Sequence, residues 1–542
     1  MIIQPTSWRR TRLAAGCCAA LAALTLAAAG TTAAKAGAAG ESEGSGDAPI
    51  VTTQSGAVRG AAVPGGYDFL GLPYAAPPIG NLRWRPPQPP AGWSGVRDAT
   101  SFGPSCPQQP SPFAPPGPFS EDCLYLNVYT PVLHNMNDQG GLPVIVWIHG
   151  GGFTQDGGRN YDGSKLAADG TVVVTINYRL GALGFLAHPA LASYPGGPAG
   201  NYGLMDQQAA LRWVQRNIGR FGGDPGNVTI AGQSAGGLSV LAHLVSLGSR
   251  GLFQRAIIES GSFALKQQSL ATAEAAGQAF AAQAGCPDQT AACLRNLPVS
   301  ALATFPGVIP GYVDGRVLTE SFGTALAAGR FARVPILNGT NHDEEAIFVL
   351  GLGVAVSGGT FVLVPPGMVT SDNYQSDIAS VLGVSSGQAA AIAAVYPPGA
   401  SPIFALSTLV GDANFACPAL QIDQWTAARV PTFAYEFNDN NAPERFAPLP
   451  PLATHSSETQ YLFDLPNAPR PGTFTADQQA LAASMRTAWA TFAASGNPAT
   501  AAVPWPAFGR ADSAQMLSLV PPTPQIETDF SAQHHCGFWA AG

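Results

Sequence analysis

Ser234 lies in Gly232-Gln233-Ser234-Ala235-Gly236, between the apolar run Val228-Thr229-Ile230-Ala231 and a second apolar run from Gly237 to Leu247. A strand, a G-x-S-x-G turn and a helix in that order make a turn too tight for bulky neighbours. Glycines and an alanine flank the central pair, and a strained backbone there lifts the serine hydroxyl to where a carbonyl carbon can reach it. The chemistry such a serine performs is acyl transfer. A plain Gly-Ser loop has the same composition, so the pentapeptide needs support from the rest of the chain.

A serine hydroxyl is a weak nucleophile at neutral pH and requires a base and a group that orients the base. G-x-S-x-G elbows crown α/β-hydrolase sheets, whose partners follow in the order serine, acid, histidine. Of eight histidines, only His455, His534 and His535 lie well downstream of Ser234 with room for an acid between. His534 and His535 adjoin Cys536 at the C-terminus, where a surface tail is expected. His455 stands in the polar loop Ala453-Thr454-His455-Ser456-Ser457-Glu458 and is the expected base. The acid belongs just past a core strand. Val334-Pro335-Ile336-Leu337-Asn338-Gly339 reads as that strand, and Asp343-Glu344-Glu345 follow it. By position the three carboxylates are equal candidates, and a solvated acidic turn accounts for any two of them.

Developing negative charge on the carbonyl oxygen needs N–H donors. Val144-Ile145-Val146-Trp147-Ile148-His149 reads as a buried strand, and Gly150-Gly151-Gly152-Phe153 follows it. Glycines let backbone N–H groups face a cavity without a side chain in the way. With the N–H of Ala235 they make an oxyanion hole of the HGGG type. One such donor is typically worth about 3–4 kcal/mol in the transition state.

These blocks, with others, carry a family resemblance. Glu121-Asp122-Cys123-Leu124-Tyr125-Leu126-Asn127-Val128 looks like one signature of the type-B carboxylesterases, and Gly222-Gly223-Asp224-Pro225 through Gly236 looks like their serine signature. Asn201-Tyr202-Gly203-Leu204-Met205-Asp206-Gln207-Gln208, continued by Ala209 to Val214, resembles the stretch between them. The chain is similar to this group over roughly residues 50 to 540, which takes in para-nitrobenzyl esterases, liver carboxylesterases and cholinesterases. The resemblance implies a mostly parallel sheet with helices on both faces and helical insertions over the active site. It implies the triad Ser234, Glu344 and His455, with the oxyanion held by Gly151, Gly152 and Ala235. Gln233 and Ser456 depart from the pattern, standing where many members have glutamate and glycine. Gln233 removes a negative charge beside the nucleophile and so weakens the case for cationic substrates.

Composition sets the class. The chain of 542 residues is 46% hydrophobic and 11% charged, which suits a large folded unit rather than disorder. A formal net charge of −8 argues against nucleic acid as partner. Residues 1–36 read as a signal peptide: Arg9, Arg10 and Arg12 precede the apolar stretch Leu13 to Ala29, and small-residue sites such as Ala34-Lys35-Ala36 follow. Residues 37–48 read as a disordered lead-in and 49–542 as one hydrolase domain. The protein is therefore expected outside the cytoplasm, with no stable membrane insertion of the mature chain. Six of eight cysteines remain after the signal, and six allow 15 pairings. The resemblance implies Cys106–Cys123, Cys286–Cys293 and Cys417–Cys536, which an oxidising compartment permits. No C-x-x-C or H-E-x-x-H occurs, and no metal or cofactor is expected.

Strands are expected at Val144–His149, Val172–Asn177, Val228–Ala231, Ala256–Glu259, Ile336–Gly339 and Thr432–Phe437, with helices between them, and a hairpin over Val51–Ala62. Ala-rich stretches at 262–330 and 345–430 exceed a minimal hydrolase and are expected to wall the pocket. Phe113, Phe119, Phe153, Phe263 and Phe348 are its candidate aromatics, with core packing an equal reading for each. The expected activity is hydrolysis of neutral carboxylic esters through an acyl-enzyme. The alternatives are a lipase for longer chains and, on the same fold, a non-catalytic binding protein.

Overall fold

A computed structural model describes residues 48–111, 114–133, 140–192, 200–302, 311–357, 360–364, 367, 369–443, 449–466, 473–509 and 514–541. The expected signal peptide, nearly all of the expected lead-in and Phe113 lie outside the described residues.

An eleven-stranded sheet organises the chain. Its strands are β1 (Ala61–Val63), β2 (Gly66–Pro73), β3 (Tyr125–Thr130), β4 (Leu142–Ile148), β5 (Val172–Ile176), β6 (Gly223–Gln233), β7 (Arg255–Glu259), β8 (Ile336–Asn341), β9 (Thr432–Phe437), β10 (Met516–Leu519) and β11 (Gln525–Glu527). They lie in the order β11-β10-β9-β8-β7-β6-β4-β5-β3-β2-β1. The run from β5 through β10 is parallel, with Val144 opposite Val172 and Val228, and Ala256 opposite Ile230 and Ile336. The remaining strands pair antiparallel at the two margins.

Side-chain alternation explains why the central strands are largely apolar on both faces. Val144, Val146 and Ile148 of β4 join one core, while Ile145 and Trp147 join the other. Likewise Val172, Val174 and Ile176 face one way and Val173 the other, and Ala256 and Ile258 oppose Ile257. A sheet covered on both faces favours apolar residues at both alternating positions, and the polar ones it keeps, such as Thr175, Asn338 and Glu436, are buried. The first core is covered by α1 (Tyr202–Asn217) and α2 (Ala235–Val245), the second by α3 (Ala476–Ser495). Helix α3 begins at a capping box, Thr475 with Gln478, and stops at Gly496 in the left-handed region (φ 80°).

All six expected core strands are present, with ends shifted by a few residues. The hairpin is divided. Ile50–Thr52 pairs antiparallel with Ala57–Arg59, but Ala61–Val63 turns away to join the main sheet beside β2. Three disulfides, Cys106–Cys123, Cys286–Cys293 and Cys417–Cys536, link residues 17, 7 and 119 positions apart. The C-terminus corrects one expectation: His535 is exposed, but His534 is only 3% exposed, held between two carboxylates rather than in a surface tail.

Candidate active site

Parallel strands share one rim at their C-terminal ends, where loops from neighbouring strands converge. Four chemically capable residues stand there: Ser234 and Ser260 directly after β6 and β7, and Glu344 and His455 on the segments that follow β8 and β9.

Ser234 sits between β6 and α2 with φ 56° and ψ −121°. A serine at positive φ is strained, and here the turn enforces it. Its N–H donates to the Glu259 carbonyl at 2.8 Å, and its carbonyl accepts from Leu238 N–H at 2.9 Å. A Cβ at Gly236 would lie 1.9 Å from the Ile148 carbonyl oxygen, so the elbow seats against β4 only with glycine there.

His455 reaches the elbow from the loop after β9. Its Nδ1 hydrogen-bonds Oε2 of Glu344. The other carboxylate oxygen of Glu344 accepts from the Thr340 hydroxyl at 2.7 Å and the Asn341 N–H at 2.8 Å. Burial by itself would raise the Glu344 pKa; the His455 imidazole and the hydrogen-bond donors outweigh it and hold the group below its ordinary value. On the ring's other side, Nε2 of His455 is 3.2 Å from the side-chain nitrogen of Gln233.

The three consecutive acidic residues separate by direction. Asp343 turns toward the 453–454 loop, accepting the Ala453 N–H at 3.1 Å, while its own N–H donates to the Ala453 carbonyl at 2.9 Å. Glu345 is 1% exposed and receives the Val356 N–H at 3.2 Å on both oxygens. Burial, and to a lesser degree the neighbouring Glu344, push its pKa well above the ordinary value. The solvated acidic turn expected for two of the three is therefore absent: Asp343 and Glu345 are both partnered structural groups. Only Glu344 meets the histidine.

The Gly150–Gly152 segment curls over the elbow. Gly151 has φ 82° and Gly152 φ 59°. A Cβ at Gly151 would fall 2.2 Å from the Gln155 carbonyl oxygen, so only glycine fits. His149 secures the segment: its ring stacks on Tyr178 at 4.3 Å, and the Tyr178 hydroxyl donates to the His149 carbonyl at 2.8 Å. Among the described residues, no acceptor is paired with the N–H of Gly151, Gly152 or Ala235. Three unspent donors beside a serine suit an oxyanion.

Around the imidazole, Phe348 and Phe415 have ring centroids 5.1 and 5.3 Å from His455. Both belong to π-helical turns, Ile347–Leu352 and Asp412–Ala416, a geometry often found at functional sites. Phe263 packs on Phe415 at 5.4 Å. Phe119 is 40% exposed, whereas Phe153 is buried at 1% against Phe185 and serves the core. The sequence reading missed Phe415.

It also missed a group of buried acids behind the site. Glu259 at the end of β7 takes the Trp489 indole N–H at 2.8 Å, and Glu458 takes the Asn341 amide at 2.5 Å. Burial, then the charge of Glu344, raises Glu458 to about 7; burial, then Glu458, raises Glu259 well above its ordinary value. Ser260, at φ 50°, faces Glu344. A carboxylate closing a core strand, and another three residues after the histidine, were the visible signals. The block from Asn201 gains a physical meaning as well. Asp206 forms a buried ion pair with Arg179 at 2.7 Å, and the Gln207 amide donates to the Ser239 hydroxyl of α2 at 3.0 Å, so polar ties fix α1 behind the elbow.

This sheet order with a strained serine after β6 defines an α/β-hydrolase. The carboxylesterase family model matches residues 47–539, and the chain belongs to that family. It is 35% identical over 515 residues to a pyrethroid hydrolase of Rattus norvegicus, covering 87% of each chain. To the fumonisin B1 esterase of Sphingopyxis macrogoltabida it is 37% identical over 485 residues, covering 84% of each. To the para-nitrobenzyl esterase of Bacillus subtilis it is 36% identical over 483 residues, covering 85% of this chain and 92% of the other. A solved PNB esterase structure superposes with a TM-score of 0.74 at 34% identity, over 90% of this chain and 99% of that one. The expected family and fold are borne out, and the protein is a carboxylic ester hydrolase.

Proposed function

We propose that this protein is an exported serine esterase that hydrolyses neutral carboxylic esters through an acyl-enzyme, with Ser234 as nucleophile, His455 as base and Glu344 as the group that orients it. The observation that carries this reading is the buried hydrogen bond from His455 Nδ1 to Glu344 at the rim where Ser234 is held at positive φ. Glu344 fixes the tautomer with the lone pair on Nε2 and stabilises the imidazolium that forms. As Ser234 Oγ attacks the ester carbonyl, His455 takes its proton and then delivers it to the leaving alcohol. Water repeats the cycle on the acyl-enzyme. The N–H groups of Gly151, Gly152 and Ala235 receive the oxyanion in both halves. The three disulfides support an oxidising, extracytoplasmic location, in keeping with the N-terminal leader.

A fluorophosphonate probe tests the reading directly. One equivalent should attach to Ser234, located by peptide mass spectrometry, with parallel loss of p-nitrophenyl acetate hydrolysis. An intact enzyme that turns over esters without labelling at Ser234 refutes it.

A longer-chain preference has one specific observation in its favour. The antiparallel pair Val354–Ser357 and Thr360–Leu363 exposes Phe361 (59%) and Leu363 (79%). A Cβ at Gly152 would meet the Phe361 ring at 3.8 Å, and that ring is 6.1 Å from Phe348. An apolar wall therefore runs outward from the oxyanion segment. Rates across p-nitrophenyl esters of increasing acyl length separate the two readings.

A further inference from the structure

Beyond the catalytic rim, a second cluster of ionisable side chains joins the C-terminal segment to the ends of β8 and β9. His534 presents Nδ1 to Asp412 at 2.5 Å and Nε2 to Glu436 at 2.6 Å. The Tyr396 hydroxyl donates to the far oxygen of Asp412 at 2.7 Å, and the Asn438 amide to the far oxygen of Glu436 at 2.7 Å. The ring of His342 lies 5.2 Å from that of His534, and its Nδ1 is 3.3 Å from Asp343. One ligating atom from each of His342, Glu436 and His534 lies within 4.8 Å of the others. Glu527 of β11 is 7% exposed; one of its oxygens accepts from Gln533 at 3.1 Å, the other, Oε2, meets no donor, and the carboxyl group faces Glu436 and His534.

Charge is unbalanced here. Four carboxyl groups, on Asp343, Asp412, Glu436 and Glu527, face two imidazoles, and among the described residues no lysine or arginine forms an ion pair with any of them. Buried carboxylates that share a single imidazole are costly, and a dication answers that cost more fully than a proton. The donor types select the ion: two imidazoles with carboxylates suit zinc, whereas calcium and magnesium prefer oxygen alone. His534 also leans its Nδ1 on Asp412, the arrangement that orients metal-bound imidazoles, and His342 Nδ1 lies near Asp343.

We propose that His342, Glu436 and His534, with Glu527 as fourth ligand, form a zinc-binding site that clamps the C-terminal segment to the sheet. Zinc takes the Nε2 lone pair of His534 and the facing oxygens of Glu436 and Glu527, and the proton held between His534 and Glu436 leaves to the buffer. His342 lies two residues before Glu344, and Asp412 begins the turn that carries Phe415, so the clamp also braces the loops on either side of His455. His342 is the most exposed of the ligands, with 36% of its side chain accessible, and marks the entry path.

The test uses the full mature chain without a histidine tag, stripped with a chelator and dialysed against Zn2+ or Co2+. The expected result is one equivalent of zinc by elemental analysis, an intense visible Co2+ band of tetrahedral character, and a rise in melting temperature with added Zn2+. H342A and E527Q should each weaken Zn2+ binding by about tenfold or more and abolish the thermal shift. Wild-type protein that binds no stoichiometric zinc overturns the site. So does binding that is equally tight in both variants, because the ion then sits elsewhere. Neither result bears on ester hydrolysis, which is read separately.

Discussion

The amide nitrogen of Gln233 stands 3.2 Å from Nε2 of His455. With the Nδ1 proton engaged by Glu344, Nε2 carries the lone pair, and the Gln233 N–H donates to it. The residue before Ser234 thus touches the atom that receives the serine proton in the proposed mechanism. A carboxylate in its place would stabilise the charged ring instead.

Q233E should therefore move the acid limb of kcat/KM to higher pH by about a unit, since an opposite charge at hydrogen-bond distance favours the imidazolium. It should also raise the preference for cationic esters. In the wild type, kcat/KM for butyrylthiocholine should not exceed that for the uncharged 3,3-dimethylbutyl thioester. The segment between Cys106 and Cys123 contains no tryptophan to hold a quaternary ammonium. An unmoved pH limb in Q233E, or a wild-type enzyme that favours the cation, contradicts this account.

S234A, H455A and E344A should each lower kcat by at least about a thousandfold, and the double variants should lose little more, because the three groups act as a unit. E345Q should stay within about tenfold of wild type, since the Glu345 carboxylate accepts from Val356 of the neighbouring hairpin rather than from His455. Steady-state kinetics on p-nitrophenyl butyrate decides between Glu344 and its neighbour.

Glu458 gives a pH-dependent stability with a defined sign. Its folded pKa is raised to about 7 by burial and by Glu344, so between its ordinary value and about 7 the native state binds a proton that the unfolded chain releases. Native stability should fall as pH rises through that window and level off above it. Glu344 and Glu259 face the same group, and Glu259 is itself raised by burial and by Glu458. E458Q should flatten the melting-temperature profile over this range and gain a few degrees at pH 8. Parallel profiles in the two proteins rule out Glu458 as the source.

Cys417–Cys536 closes a segment of 119 residues. In the chain-entropy model a loop of that length contributes about 4–5 kcal/mol by restricting the unfolded chain. The C417A/C536A double variant should melt several degrees lower than C286A/C293A, whose loop spans only 7 residues. Native protein should expose no titratable thiol before reduction.

Much of the site is legible in the sequence because its constraints are local. Strain at Ser234 is set within five residues, and the glycines at 232 and 236 record it. The apolar runs of β4 to β9 are continuous because both faces of those strands are covered. His455 follows from chain order, and similarity to the carboxylesterases singles out Glu344. Tertiary structure decided the rest. Asp343, Glu344 and Glu345 differ only in the direction each side chain takes from one turn, which the loop at Ala453 and the strand at Val356 fix from outside. Phe415 reaches the imidazole from a turn about 40 residues earlier, and Glu259 meets Glu458 from another strand about 200 residues away, contacts that sheet order sets. His534, by its position the mark of a loose tail, is buried because Asp412 and Glu436 come from elements about 100 residues away. Burial and charge pairing at such separations are properties of the packed sheet, and no local pattern of residues encodes them.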